Sequence, residues 1–180
     1  MKVFENISIL DSVDNFCSTI GNELIYEKKG KTNILVPCFN VGFYENEINT
    51  QPIIKAVDIC YFLFEAVSKF EIDFSTYDSL FPKKNGLIDF DGKKFKYDFN
   101  FGAKENNTQE YQIEGVCYRT NSFSYGNYKL FAKSMRVILL KGSKFLEVYT
   151  SNYAYKEDFY YRSFLLNQNK KIITKIIKEI

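Results

Sequence analysis

The sequence predicts an α+β fold, in which an antiparallel sheet of about six or seven strands packs against a long central helix and a C-terminal amphipathic helix. Three observations lead to this prediction: an apolar segment from Thr50 to Phe70, a series of short segments separated by turn signals, and an isoleucine stripe before the C-terminus. The chain has 180 residues, and no linker, repeat or low-complexity segment divides it. We therefore expect residues 1–180 to form a single domain.

The predicted central helix spans Thr50–Phe70. Thr50 can cap the first free N–H groups, and Pro52 falls in the first turn, where a missing N–H has no consequence. On a helical projection most side chains form one wide apolar face, and Asp58 and Glu65 fall on a narrow polar stripe. A helix with so little polar surface has to be packed between layers. The apolar face consists of Ile53, Ala56, Val57, Cys60, Leu63, Phe64 and Val67.

The N-terminal part predicts a strand within residues 2–10 and then a short helix that begins at Asp11 or Ser12 and ends at Gly21. The segments Glu23–Lys28 and Thr32–Phe39 predict paired strands around a Lys29–Gly30 turn. Pro37 has no N–H, so it indicates an edge position or the end of that strand.

Two further hairpins are predicted. In Leu87–Phe101 the Asp91–Gly92 pair suits a type I′ turn, and the alternation of aromatic with charged residues after it predicts a half-buried strand. The second hairpin joins Met135–Lys141 to Lys144–Thr150, with Leu139 opposite Leu146. Its first strand is apolar on both sides, which predicts coverage on both faces.

Between the hairpins, Glu110–Arg119 predicts a strand with a bulge at Gly115, and residues 120–129 predict a loop. Residues 155–166 fit either a helix or a strand, and we interpret them as a helix. The last segment predicts an amphipathic helix, because an isoleucine stripe runs from Ile172 to Ile180 with lysines away from it.

Composition excludes several classes of function. The chain has no histidine, which removes Ser-His-Asp and Cys-His nucleophile systems and His-ligated zinc. It also has no phosphate-binding glycine loop, and Asp89 and Asp91 are better explained by the hairpin turn than by a calcium loop. The net charge of +2 and dispersed lysines argue against nucleic-acid binding. We therefore predict no metal site and no cofactor.

The four cysteines, Cys17, Cys38, Cys60 and Cys117, are widely spaced among apolar neighbours. Buried free thiols explain them best, although spacing alone leaves a disulfide pair open. The first residues contain early acids and no uninterrupted apolar run, and the apolar Thr50–Phe70 segment is interrupted by charges. These features predict neither a signal peptide nor a membrane span, and so a cytoplasmic protein.

The segments Tyr118–Tyr128 and Tyr149–Tyr161 combine tyrosine with Asn, Ser and Gly. This composition is typical of adaptable recognition surfaces, because tyrosine supplies a large contact area at a small loss of conformational entropy. The alternative interpretation is that these tyrosines cover the rim of an aromatic core. The candidate partner-binding residues are Tyr118, Arg119, Phe123, Tyr125, Tyr128, Tyr153 and Tyr155.

Three functional hypotheses follow. The first is a non-catalytic cytosolic domain that binds another protein, most concretely a small bacterial inhibitor or immunity-type protein that neutralises a toxin. The second is a binding domain for an apolar small molecule, held in an aromatic pocket between sheet and helix. The third is a hydrolase in which Asp58 and Glu65 act as acid and base, the alternative being that both belong to the solvated stripe of the helix.

Overall fold

The computed structural model describes residues 1–5, 13–14, 17–18, 23–51, 55–77, 94–102, 108–119, 122–143, 145–147 and 169–180. These residues form a mostly β structure with a single helix near the C-terminus. The elements are β1 (Lys2–Phe4), β2 (Val13–Asp14), β3 (Cys17–Ser18), β4 (Leu24–Lys28), β5 (Lys31–Phe43), β6 (Lys55–Glu65), β7 (Lys69–Tyr77), β8 (Lys94–Asn100), β9 (Gln109–Arg119), β10 (Ser122–Ala132), β11 (Ser134–Leu139), β12 (Phe145–Glu147) and α1 (Asn169–Glu179).

The strands form one hydrogen-bonded network of 12 strands, whose main path runs β1-β11-β6-β5-β3-β9-β10-β7-β8. The short strands β2 and β4 also pair with β5, and β12 pairs with β6. The described pairs are antiparallel except β3 with β9. The first half of this path, around β5 and β6, and the second half, around β9, β10 and β7, are therefore joined through β3.

The two halves face each other across a shared apolar core. Phe64 of β6 and Tyr111 of β9 lie in strands that do not pair, yet their rings meet edge to face at a centroid distance of 5.6 Å. Side chains from β5, β6 and β11 and from β7, β9 and β10 belong to the same buried cluster. Burial of this apolar surface is the main source of the stability of the domain.

The long central helix predicted for Thr50–Phe70 is wrong. Residues Lys55–Glu65 form strand β6, and Lys69 begins strand β7. In β6, Phe62 and Phe64 enter the core between the two halves, whereas Tyr61 and Leu63 enter a second cluster beneath α1. A strand that is covered on both faces is apolar at successive positions and loses the period of two. For that reason its sequence resembles a buried helix.

The chain passes from β6 in the first half to β7 in the second at a sharp corner. Ala66 adopts a left-handed conformation with φ of 51°. The corner is fixed by backbone hydrogen bonds: Val67 N donates to Thr32 O and Ser68 N to Phe131 O, both at 2.8 Å. Lys133 N donates to Glu65 O at 2.9 Å, where β10 passes into β11. Both crossings between the halves therefore lie side by side.

The predicted C-terminal helix is confirmed as α1. Ile173 and Ile176 are buried against Leu35, Tyr61 and Ile138 on the outer side of the first half. No helix in the described part of the chain is long and apolar enough to cross a membrane.

At the N-terminal end, the strand prediction is confirmed for Lys2–Phe4, and the Lys29–Gly30 turn joins β4 to β5 as expected. The helix predicted to end at Gly21 is wrong in its described part, because Val13–Asp14 and Cys17–Ser18 pair with β5 as strands. Pro37 does not end its strand, which continues to Phe43.

The hairpin predicted around Gly142–Ser143 is not formed by the described parts of its two strands. β11 and β12 both pair with the edge of β6 that lies away from β5, Leu139 opposite Cys60 and Phe145 opposite Val57. Residues 140–143 leave the sheet, and Ser143 Oγ holds this excursion by donating to Ile59 O at 2.7 Å and accepting from Leu140 N at 2.9 Å. Coverage of β11 on both faces is confirmed, because Val137 and Ile138 lie in different clusters.

The loop predicted for residues 120–129 is largely strand β10. Its register with β9 is continuous from Ala132 opposite Gln109 to Ser122 opposite Arg119, so no bulge occurs at Gly115. The aromatic strand of the predicted first hairpin is β8, which pairs with β7. The Asp91–Gly92 turn and residues 155–166 lie outside the described residues.

Candidate functional site: an aromatic row on the second half of the sheet

The strand register brings three of the candidate binding residues together. Tyr118 of β9 lies opposite Phe123 of β10, and Phe123 lies opposite Tyr77 of β7. Tyr125 occupies the next position on the same side, opposite Val116 and Ser75. Neighbouring strands in a sheet are about 4.8 Å apart, so these positions form a compact patch. We call Tyr77, Tyr118, Phe123 and Tyr125 the aromatic row.

The side of the sheet that carries these positions is solvated at its other end. Alternation along each strand places the aromatic row on the same side as Glu110, Lys129 and Asp73. Glu110 and Asp73 are exposed, and Lys129 Nζ lies 2.9 Å from Glu110 Oε1. Charged residues thus border the aromatic positions along the same strands.

The remaining candidate residues do not join this row. Tyr128 lies at a position of opposite alternation, is only 2% exposed and packs its ring 5.4 Å from that of Phe70 in the core. Tyr128 therefore lies inside the core, and not on its rim, where the alternative interpretation placed these tyrosines. Arg119 pairs with Ser122 and also has the opposite alternation from Tyr118. Tyr153 and Tyr155 lie outside the described residues.

Sequence reasoning missed Tyr77, because the segment after Phe70 shows no clear period and was not interpreted as a strand. The register also shows why the four positions could not be assembled from the sequence. Tyr118 and Phe123 are close along the chain, but Tyr77 joins them only through the β7–β10 pairing. Spacing along the chain gives no signal for such a long-range pair.

A second aromatic feature lies at β8. Phe99 stacks on Phe70 at a centroid distance of 6.0 Å, and Tyr97 of β8 and Phe101, just beyond its end, flank Phe99. Tyr97 is 46% exposed and Phe99 is 37% exposed. These rings lie on the core-facing side of the second half, at positions that the first half does not cover completely.

Asp58 and Glu65 cannot act as a catalytic pair. Seven residues along a strand span about 23 Å. The hypothesis instead required the two carboxylates to lie only two turns apart on one side of a helix. Asp58 accepts a hydrogen bond from the Ile59 N–H at 2.7 Å, near the excursion after β11. Glu65 lies at the opposite end of β6, where Oε2 accepts from Ser134 Oγ at 3.0 Å and Oε1 from Arg136 Nη2 at 2.5 Å.

The Glu65 end of β6 opens onto a pocket of about 310 Å³ between the β4–β5 turn and the β10–β11 corner. Its lining includes Tyr26, Asn33 and several lysines, a combination that the sequence signals only as the Lys-Lys-Gly-Lys turn. Burial raises the pKa of the Tyr26 phenol, the Glu65 carboxylate raises it further and the Arg136 guanidinium opposes this.

The apolar-ligand hypothesis required an aromatic pocket between the sheet and α1. The centre of this space contains packed side chains, and a pocket of about 330 Å³ at its edge, between α1 and the Asp58 end of β6, has no aromatic residue among the described residues that line it. Leu35, Tyr61, Leu63 and Ile176 are each exposed by 1% or less. Within the described residues no group of three or more His, Cys, Asp or Glu side chains could hold a metal ion. The chain matches no protein-family model, no curated protein and no solved structure with significance.

Proposed function

We propose that this chain is a non-catalytic protein-binding domain that contacts its partner through the aromatic row. The observation that carries the proposal is the register, which aligns Tyr118, Phe123 and Tyr77 across three adjacent strands. Tyrosine and other aromatic residues dominate the energetics of protein interfaces, and they act best when clustered near the centre of a patch with a polar border.

The position of the row on strands, and not on loops, supports the proposal further. β10 is paired on both edges, with β9 and with β7, over most of its length. Residues on such a strand have little backbone freedom to lose on binding, so less of the interaction free energy is offset by ordering. The charged border, with the Lys129–Glu110 ion pair, then favours one orientation of a partner.

The most concrete form of the proposal is a small inhibitor that neutralises a toxin. That form predicts a partner with an activity that decreases when the domain binds in a stoichiometric complex. A partner whose activity is unchanged in the complex would leave protein binding in place and remove the inhibitor role.

A photo-crosslinking experiment tests the site. A benzophenone amino acid is introduced at Tyr125, and the matched control carries it at Lys96, an exposed residue of β8 on the same side of the sheet. In lysate from the source organism, the Tyr125 variant is expected to form one dominant adduct that the Lys96 variant lacks. The same set of adducts from both variants would contradict a binding site at the aromatic row.

A double substitution, Tyr118→Ser with Phe123→Ser, provides the affinity test. We expect the captured partner to be lost while the thermal unfolding transition remains cooperative. The control is Lys170→Ser with Lys171→Ser, which alters exposed residues of α1 that belong neither to the aromatic row nor to its charged border. Retention of the partner by the Tyr118/Phe123 variant would overturn the proposal.

A further inference from the structure

The pocket at the Glu65 end of β6, which we call the corner pocket, is strongly basic. Lys28, Lys29 and Lys31 come from the β4–β5 turn, and Lys133 comes from the crossing between β10 and β11. Glu65 is the only acidic side chain among its lining residues. Two segments that are about a hundred residues apart along the chain therefore contribute four lysines to the lining of one concavity of about 310 Å³.

The negative charge of Glu65 is already engaged. One carboxylate oxygen accepts from the Ser134 hydroxyl and the other from the Arg136 guanidinium. Arg136 also contacts Glu5, and its side chain is 16% exposed. The Glu65–Arg136 pair is thus nearly neutral as a unit, so the lining retains an excess of positive charge. Like charges gathered in one concavity repel each other and attract a compact anion.

The floor of the pocket is rigidly built. Asn33 is 6% exposed, and its side-chain oxygen accepts a hydrogen bond from Ala66 N at 3.1 Å, while its amide nitrogen donates to Lys31 O at 3.3 Å. These bonds tie the β4–β5 turn to Ala66, which has a positive φ, as does Lys29 within the turn itself. Strained backbone that is held by its surroundings is concentrated at ligand sites. The lysine-bearing turn is therefore held in a fixed position relative to Ala66 by these hydrogen bonds.

We propose that the corner pocket binds a small organic phosphate, a ligand of mononucleotide size that carries at least two negative charges. The volume lies at the lower end of the range of small-molecule sites. Lysine ammonium groups act as point charges for phosphate oxygens, and the Tyr26 hydroxyl adds a donor that a phosphate ester can use. The inference goes beyond the proposed protein-binding function and uses no residue of the aromatic row.

Isothermal titration calorimetry with inorganic pyrophosphate, at constant ionic strength, tests this proposal. The pocket variant Lys28→Gln with Lys133→Gln is compared with Lys170→Gln with Lys171→Gln, which removes the same charge from exposed positions of α1. We expect about tenfold weaker binding in the pocket variant, the effect of losing two largely solvent-exposed ionic contacts, and less than about twofold in the helix variant.

Two outcomes would overturn the proposal: no detectable binding of pyrophosphate at this constant ionic strength, or equal weakening in both variants. Equal weakening would mean that only the overall charge attracts the anion. An acidic peptide that binds the pocket when pyrophosphate does not would assign the site to a protein ligand instead. Because the aromatic row is unchanged in both variants, partner capture by the row reports separately on the proposed function.

Discussion

Strands β6 and β8 are both rich in aromatic residues, but they differ in how many of their faces are covered. In β6, Phe62 and Phe64 face the second half of the sheet, and Tyr61 and Leu63 face α1, so neither side meets water. In β8, Lys96 and Asp98 are exposed on one side, and even the aromatic side leaves Tyr97 and Phe99 more than one third exposed. The same residue types therefore serve as a core in one strand and as a rim in the other.

This difference explains which part of the sequence could be interpreted. β8 alternates between aromatic and charged residues because one face meets water, and alternation is the signal of a half-buried strand. β6 has no polar face to alternate with. The comparison teaches that the most buried strand of a layered β fold is the one whose sequence looks least like a strand.

The largest expected effect comes from truncating a ring in each strand. Phe64→Ala removes a side chain that is 0% exposed, and we expect it to lower the free energy of unfolding by about 3–5 kcal/mol. Phe99→Ala should lower it by less than half as much, because its ring is 37% exposed. Urea denaturation measures both. Equal losses would show that the cover over β8 is as complete as the cover over β6.

The second expected effect concerns the helical cover of β6. Ile176 is 1% exposed beneath α1, so Ile176→Ala should cost about 2–4 kcal/mol. Ile177, one position further on, is only half-buried, and Ile177→Ala serves as the control with a loss of about 1 kcal/mol or less. Hydrogen exchange should show faster exchange in α1 and in the adjoining part of β6. Unchanged exchange in Ile176→Ala would contradict the packing of α1 on this strand.

The sequence was sufficient for the β4–β5 hairpin, strand β8, the double coverage of β11 and helix α1, because each has a local signal: a Lys-Gly turn, an alternation, an apolar run of strand length, an isoleucine stripe. It was insufficient for β6 and for the path of β12, since both depend on which distant strand supplies the neighbour. The aromatic row has the same limitation: Tyr77 reaches Phe123 only through pairing between β7 and β10.

A third test uses Tyr61 of β6 at alkaline pH. Burial raises the pKa of Tyr61 above its ordinary value of 10.0, with Cys38 and Cys60 raising it further. The folded state therefore favours the neutral phenol, and its stabilising effect is complete below about pH 10 and decreases as the pH rises further. Above that pH the free energy of unfolding should decrease about 1.4 kcal/mol per pH unit more steeply in the wild type than in Tyr61→Phe.

The control for the alkaline test is Phe62→Leu in β6. Its ring is 1% exposed and carries no titratable group, so this substitution should leave the slope of stability against pH as it is in the wild type. The relevant quantity is the slope and not the absolute stability, because removing a buried hydroxyl has its own effect. A wild-type slope in Tyr61→Phe would show that the phenol of β6 is ionised as easily in the folded state as in the unfolded chain.

The smallest expected effect lies where β6 and its double cover end. Ala66 has φ of 51°, a conformation that an L-residue with a Cβ adopts only at a free-energy cost. Ala66→Gly should therefore raise the free energy of unfolding by about 0.5–1 kcal/mol, after the extra conformational entropy of glycine in the unfolded chain is subtracted.

Gly30→Ala is the reciprocal variant: φ is 72° and a Cβ would meet no atom within 4 Å, so only backbone preference is tested. It should lose about 1 kcal/mol. If Ala66→Gly instead destabilises the protein, the methyl group of Ala66, which is 9% exposed, contributes more by packing at the corner than its backbone conformation costs.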